Sequence, residues 1–351
     1  MKKALIIMMA LVLLLPSAAL ADKSLNFNFV GDCTLACNED MKGYPESFMS
    51  YITNNGYEYP FKNVKALLEK DDLTIANVEC VLSDVRTGKR KKTYNFRAPA
   101  EYAQILTNGS IELANLANNH TYDYGDGGLT RTKEALDAVG INYFEESNVY
   151  YYEKDGIKIA FYGLASDYFD VNKRAMRESI AEFKANGGNA VVVSIHMGSE
   201  YASIRTTRQT RSAEYAIDAG ADLVIMHHAH VVLGADIYKN RYIFYGLGNF
   251  CFGGNFYLKR RTYDNERTSL ESMVLGVRLD FADDGEYMGQ QVTIYPAYTS
   301  SISPVNDYSP ILVTGEQADS VIAYMQEDSS ITLSPFDSEK GCAEQPYLLA
   351  H

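Results

Sequence analysis

The sequence predicts an α/β fold in which two sheets pack face to face with helices outside. Short apolar runs ending at polar residues alternate with helical patterns, which is the signature of sheet strands covered by helices. Hairpin-like stretches interrupt that alternation, so part of the sheet is antiparallel. A chain of 351 residues that is 46% hydrophobic and 22% charged can bury a large core, and it shows no repeat period.

The N-terminal residues stand apart. Met1-Lys2-Lys3, an apolar run from Ala4 to Leu15 and then Ala19-Leu20-Ala21 read as a secretory signal over residues 1–21. The run is short for a bilayer span of about 20 residues, so export with cleavage is expected, retention as an uncleaved anchor being the alternative. Export places the protein outside the cytoplasm, at the cell envelope. Without the two lysines of that segment, the net charge moves from −13 to −15. Duplex nucleic acid is therefore excluded as a partner, since it demands a basic surface.

After this segment, Leu25 to Val30 alternates and ends in Gly31-Asp32, a strand delivering an acid to its C-terminal end. Further strands are expected at Leu73 to Val78, Ile111 to Leu116, Ala190 to Ile195 and Leu223 to Met226. Between them, helical patterns run over Pro45 to Asn54, Val64 to Lys70, Ala100 to Thr107, Gly128 to Val139, Asn172 to Ala185 and Thr210 to Ala219. Hairpins are expected at Tyr150 to Leu164, turning at Asp155-Gly156, and at Asp236 to Tyr245, turning near Lys239-Asn240. Two alternating runs between Met273 and Tyr298, separated by Ala282 to Gly285, add another, so parallel strands come early and hairpins late. A last helix, Glu316 to Gln326, leaves a polar tail over residues 331–351 that is expected to be loose. No linker divides the middle, and residues 22–330 are assigned to one domain.

The chemistry concentrates in histidine. Five of the six His fall in three contexts: His120 after Asn118-Asn119, His196 after Ser194-Ile195, and His227-His228-Ala229-His230. Each context follows an expected strand, as do Asp32 and Glu79, and in α/β sheets the strand C-termini share the edge where ligands bind. Imidazole, carboxylate and amide oxygen without thiolate suit Mn, Fe or Zn. Asp32, Glu79, Asn119, His196, His228 and His230 supply six candidate ligands, enough for two ions. Period two would align His228 and His230 at a strand end. Five scattered cysteines form no disulfide framework, although one or two bridges remain open in an exported protein. Basic residues cluster at Lys89 to Lys92 with Arg97, at Arg205, Arg208 and Arg211, and at Lys259 to Arg261. A cluster lining a cleft would favour an anionic substrate.

These residues stand in ordered motifs: Gly31-Asp32-Cys33-Thr34-Leu35, Ala76-Asn77-Val78-Glu79, Phe96-Arg97-Ala98-Pro99, Leu116 to His120 with Asp123-x-Gly125-x-x-Gly128, His196-x-Gly198-x-Glu200, His228-x-His230-Val231 and Gly246-Leu247-Gly248-Asn249-Phe250. Over about residues 25–255 the chain resembles the CapA family, poly-γ-glutamate capsule biosynthesis proteins of the calcineurin-like metallophosphoesterase superfamily. The resemblance implies a four-layer α/β/β/α sandwich with a two-metal centre on the sheet edge, ligated by the six residues above. It places His120 where a residue protonates the leaving group or steadies the transition state. The chain departs from the superfamily in having Thr34 where Asp-x-His carries its His, and Glu79 for a bridging Asp, so one site is expected to have fewer ligands.

Arg97 is a candidate to hold an anionic substrate, or else a surface residue at a helix start. Glu200 is a candidate at the substrate or as the acceptor that orients a ligating His. Asp123 is a weaker candidate of the same kind. Two functions from different classes follow. One is a metal-dependent hydrolase of phosphoester or γ-glutamyl bonds; the other is a nonhydrolytic metal-binding accessory subunit for synthesis or export of an anionic polymer, working with membrane polymer-synthase subunits.

Overall fold

The computed structural model describes residues 22–258 and 269–351, so the signal-like segment and Lys259 to Arg261 lie outside the described residues. The chain forms two large mixed sheets. In the first, the parallel strands Lys23–Thr34, Leu73–Val78, Leu113–Asn115 and Asn142–Phe144 lie side by side. The antiparallel pair Glu271–Phe281 and Tyr287–Tyr298 extends this sheet on the other flank of Lys23–Thr34, with Leu25 opposite Leu279. In the second, Ile157–Ala165, Ala190–His196, Leu223–His227 and Arg241–Phe244 run parallel, with antiparallel edge strands Tyr150–Lys154 and Ala235–Tyr238.

Alternation along these strands explains the layering. Phe27, Phe29 and Ile75 of the first sheet meet Ile159, Phe161, Val192 and Ile225 of the second in one buried cluster, so the sheets are face to face. Opposite faces carry Val30, Ala76 and Val78 against Phe48 and Ile52 of helix Phe48–Asn55, and Val193, Ile195 and Met226 against Ile180 and Ala216 of helices Ser166–Ala185 and Thr207–Asp218. Three apolar interfaces thus separate four layers, α/β/β/α, as the motifs implied. Among the described residues no helix is long and apolar enough to cross a membrane.

Several boundaries move for physical reasons. The Thr207–Asp218 helix begins before the expected Thr210 because Thr206 and Gln209 form a reciprocal capping box. The helix expected from Asn172 starts at Ser166, which brings its first turn to the sheet edge. Parallel strands are not confined to the early chain. The second sheet has a parallel centre with antiparallel edges, and the first has a parallel half ending at Asn142–Phe144 and one antiparallel flank, where the last hairpin returns to pair with the first strand. Nor is the tail loose: Ala343–Glu344 and Leu348–Leu349 pair with Tyr287–Tyr298, and the Tyr242 hydroxyl donates to the Pro346 carbonyl at 2.6 Å. Its Leu333 and Cys342 are buried, so apolar contacts hold what composition alone marked as polar.

One close approach fixes the site's entry strand. At Gly31 a Cβ would lie 2.0 Å from the Gly248 carbonyl oxygen, so only glycine admits the crossing that lets the Asp32 amide donate to that oxygen at 3.0 Å.

Candidate metal centre

Asp32 lies on its strand just before the end, beside Asn77 and Asn249 in register, and a ladder irregularity between Val30 and Asp32 turns the carboxylate to the sheet edge. Glu79 follows Leu73–Val78 directly, and Asn119 and His120 sit in the turns after Leu113–Asn115. His196 ends its strand opposite His227. Beyond His227 the strand stops, so His228 and His230 are not aligned by strand period. Both adopt left-handed backbone, with φ of 94° and 58°, a conformation costly for a non-glycine residue and held here by the surrounding structure.

All six sequence-derived ligand candidates meet. Donor atoms of Asp32, Glu79 and His230 lie within 4.8 Å of one another, as do those of Glu79, His196 and His228, so Glu79 belongs to both groups. The Asn119 Oδ1 is 2.9 Å from His196 Nε2, which adds the amide oxygen to the second group. Glu200, with His228 and His230, forms a further group of the same compactness, so it stands at the ligands themselves. Arg97 does not join them. It is buried, and both terminal nitrogens of its guanidinium are engaged, one by the Ser83 carbonyl and one by Glu39 Oε1 at 3.2 Å. The second basic cluster is likewise spent in part: Arg205 pairs with Asp236 and Asp328, and Arg208 with Asp170.

The donor set tests whether cations fit. Glu79 is fully buried, yet neither of its carboxylate oxygens has a hydrogen-bond partner. Leaving a buried carboxylate unpaired is expensive, and a divalent cation held by either donor group that contains Glu79 would remove that cost. The residues therefore fit a metal centre. Burial and the charge of Asp32 push the Glu79 carboxyl up to about 7. Burial also opposes ionisation of Asp32, but hydrogen bonds from His227 and His230 outweigh it and hold this acid well below the usual carboxylate range. Burial drives His196 well down, and burial with the charges of His196 and His230 brings His228 to about 3, so both rings are neutral and ready to ligate. Burial would lower His230 too, but the Glu79 charge leads the opposing effects and raises it well above the ordinary value.

A supporting shell escaped the sequence reading. Asn77 Nδ2 donates to Asp32 Oδ1 at 2.8 Å and stands 3.2 Å from His196 Nδ1, while its Oδ1 accepts from Asn115 at 3.1 Å. His230 Nδ1 is 2.9 Å from Asn249 Oδ1 and 3.1 Å from Asp32 Oδ2, which leaves Nε2 as its ligating atom. Asn77 and Asn249 both lie inside the motifs quoted above, the one signal that marked them. His227 is buried with Nδ1 3.4 Å from Asp32 Oδ1. Asp123 proves central: its Oδ2 takes His120 Nδ1 at 2.7 Å and the Phe96 amide at 2.7 Å, and its Oδ1 takes Lys92 Nζ at 2.5 Å. His120 Nε2 is thereby aimed at Glu79, 4.0 Å away.

All five cysteines are free and buried, and none belongs to a candidate metal group among the described residues. Burial pushes the Cys80 thiol up to about 12 and Cys33 higher still, which disfavours the thiolate a ligand requires.

Residues 26–254 match the family model for the bacterial capsule synthesis protein PGA_cap. The capsule biosynthesis protein CapA of Bacillus anthracis is 33% identical over 228 residues, covering 57% of this chain and 55% of that protein. The chain thus spans about half the length of that relative. The PGA biosynthesis protein CapA of Bacillus subtilis strain 168 is 25% identical over 347 residues, covering 91% of this chain and 85% of the other. Among solved structures, the sulfate thiohydrolase SoxB of Thermus thermophilus aligns at a TM-score of 0.44 with 13% identity, over 86% of this chain and 59% of that one.

Proposed function

The chain belongs to the bacterial capsule synthesis protein family, and from that premise we propose that it is an exported metal-dependent hydrolase acting on phosphoester or γ-glutamyl bonds during assembly of an anionic envelope polymer. One observation carries the reading: a buried carboxylate, Glu79, without hydrogen-bond partners and common to two compact donor groups. Divalent cations held there, of the Mn, Fe or Zn kind, supply Lewis-acid polarisation of a phosphoryl or acyl oxygen.

The chain's own groups do the rest. Asp123 fixes His120 with its Nδ1–H donated, so Nε2 faces the reacting atoms and gives a proton to the departing group. Lys92 closes the other oxygen of Asp123 and also donates to the Asn119 carbonyl at 2.9 Å, tying the basic loop to the catalytic turn. Asn77 and Asn249 hold Asp32, His196 and His230 in their working orientations. The signal-like residues 1–21 support an extracytoplasmic site of action, the working domain takes in the tail that pairs with Tyr287–Tyr298, and membrane polymer-synthase subunits are the proposed partners.

The test is elemental analysis of the purified protein followed by hydrolysis assays on an aryl phosphate and on poly-γ-glutamate. Bound divalent metal with turnover that disappears in His120→Ala is the expected result, and a metal-free, inert protein sinks the proposal. A second reading, a nonhydrolytic metal-binding accessory of polymer synthesis or export, draws on Thr34, which stands where the superfamily that the motifs resemble carries a His. It predicts bound metal without turnover on either substrate.

A further inference from the structure

Two clefts of unlike chemistry meet at the candidate metal centre. One, of about 440 Å³, is lined by Arg90, Lys92, Asn119, Ser166, His196 and His228. The other, of about 580 Å³, is lined by Tyr94, Phe96, His120, Tyr201, His230 and Phe252. Resting on the hydrolase reading above, we propose that the centre divides its substrate by chemistry: the anionic half lies in the Arg90–Lys92 cleft, and the leaving half carries a ring that stacks in the aromatic cleft.

The basic side is built for an anion. Arg90 is exposed, has no acidic partner among the described residues, and lies over the Tyr122 ring at 5.8 Å, which steadies its guanidinium at the cleft. Lys92 is held in place by Asp123 and the Asn119 carbonyl. The wall opposite is the first turn of helix Ser166–Ala185, whose N-cap residue, Ala165, makes no side-chain cap. Two acids face this cleft, Asp123, which is already paired with Lys92, and Asp167, which is exposed.

The aromatic side receives the departing group because His120 lines that cleft and not the other. Phe96 packs on His120 with ring centroids 4.5 Å apart, and Tyr94 stacks on Phe96 at 6.5 Å and 11°. Tyr94 is 56% exposed, so this stack runs from the proton donor out to solvent and ends in an uncovered flat face. The lining contains Glu200 and neither Lys nor Arg. A polyanionic leaving half would find no Lys or Arg there and would face Glu200, whereas an aryl or sugar ring finds stacking partners, with Asn255 at the edge for hydroxyls.

The metal-loaded protein would be assayed with three phosphate monoesters that share the same anionic half: an aryl ester, a glycosyl ester and glycerol phosphate. The aryl and glycosyl esters are expected to exceed glycerol phosphate in kcat/KM by about tenfold, and Tyr94→Ala to compress that ratio toward one. An additional loss on Asn255→Ala for the glycosyl ester alone assigns the ring to a sugar; no such loss assigns it to an apolar ring. Binding is read separately by calorimetry with inorganic phosphate and phenylphosphonate, neither of which requires turnover. Arg90→Ala should weaken both about tenfold and reduce their salt dependence, and Tyr94→Ala should weaken only phenylphosphonate. That binding pattern without hydrolysis would uphold the division of the site while removing the hydrolase reading. Equal weakening of both ligands by Tyr94→Ala, or equal use of all three esters by the unaltered protein, would overturn it.

Discussion

The two sheets contribute opposite chemistry to one seam. The first supplies oxygen: Asp32 on its central strand, Glu79 after the neighbouring strand, Asn119 beyond the next. The second supplies nitrogen, with His196 and His228 to His230 at the ends of its two central parallel strands. Neither edge alone offers a mixed ligand set. A centre shared in this way depends on the packing between the sheets, and its ligands answer to different forces: Asp32 is tied into the fold by Asn77 and His230, Glu79 is buried without a hydrogen bond, and the imidazoles His196 and His228 are held neutral by burial.

The largest test of this contrast removes the nitrogen side. His196→Ala combined with His228→Ala should abolish the Glu79-centred group, lowering bound metal by at least half and turnover by about 10³-fold or more. Elemental analysis and rate measurement check this, and full retention of both would break the assignment. The oxygen side should respond differently. Asp32→Ala removes the carboxylate that contacts buried His230 at 3.1 Å and leaves that ring with Glu79 and Asn249, so it should cost about 3 kcal/mol in denaturant unfolding even without metal, beyond the loss in the double His variant. Equal stability losses would show that the two edges do not differ. A smaller effect is expected of Asp123→Asn, which keeps the shape but loses the charge that orients His120: kcat should fall about 10- to 100-fold with KM little changed.

The smallest effect is a pH dependence. Glu79 titrates at about 7 in the fold, above its unfolded value near 4.5, so in the metal-free protein its contribution to stability is present below the unfolded value and is lost as pH rises through 7. A cation relieves the ionised form. The rise in Tm on adding Mn²⁺ or Zn²⁺ should therefore be greater at pH 8 than at pH 6, and a rise that shrank with pH would contradict the role of Glu79.

Most of the architecture was legible because its signals are local. Strand Leu73–Val78 is a continuous apolar run, and the hairpin of Tyr150–Lys154 with Ile157–Ala165 turns at Asp155-Gly156 as its sequence indicates. The candidate ligands were legible for a different reason, since His, Asp and Glu recur at strand ends inside ordered motifs. Arg97 was misplaced because a charge in sequence does not reveal its partner: Glu39, 58 positions earlier, claims it. The tail was misplaced because Leu333 and Cys342 are too sparse to read as a packed face until the edge of Tyr287–Tyr298 is there to receive them.

By itself, the sequence determined most of the elements, that acid and imidazole residues stand at or beyond their ends, and that these residue types suit divalent cations. It could do so because periodicity, turn chemistry and ligand chemistry are properties of neighbours along the chain. Only the tertiary structure decided that Glu79 is common to two donor groups without a hydrogen bond of its own, that Asp123 and Lys92 govern His120, and that a basic and an aromatic cleft flank the centre. Glu79 meets His196, His228 and His230 across more than a hundred residues, and those contacts come into being only when two sheets bury their apolar faces against each other; the His120–Asp123 contact is local, but what it faces is not.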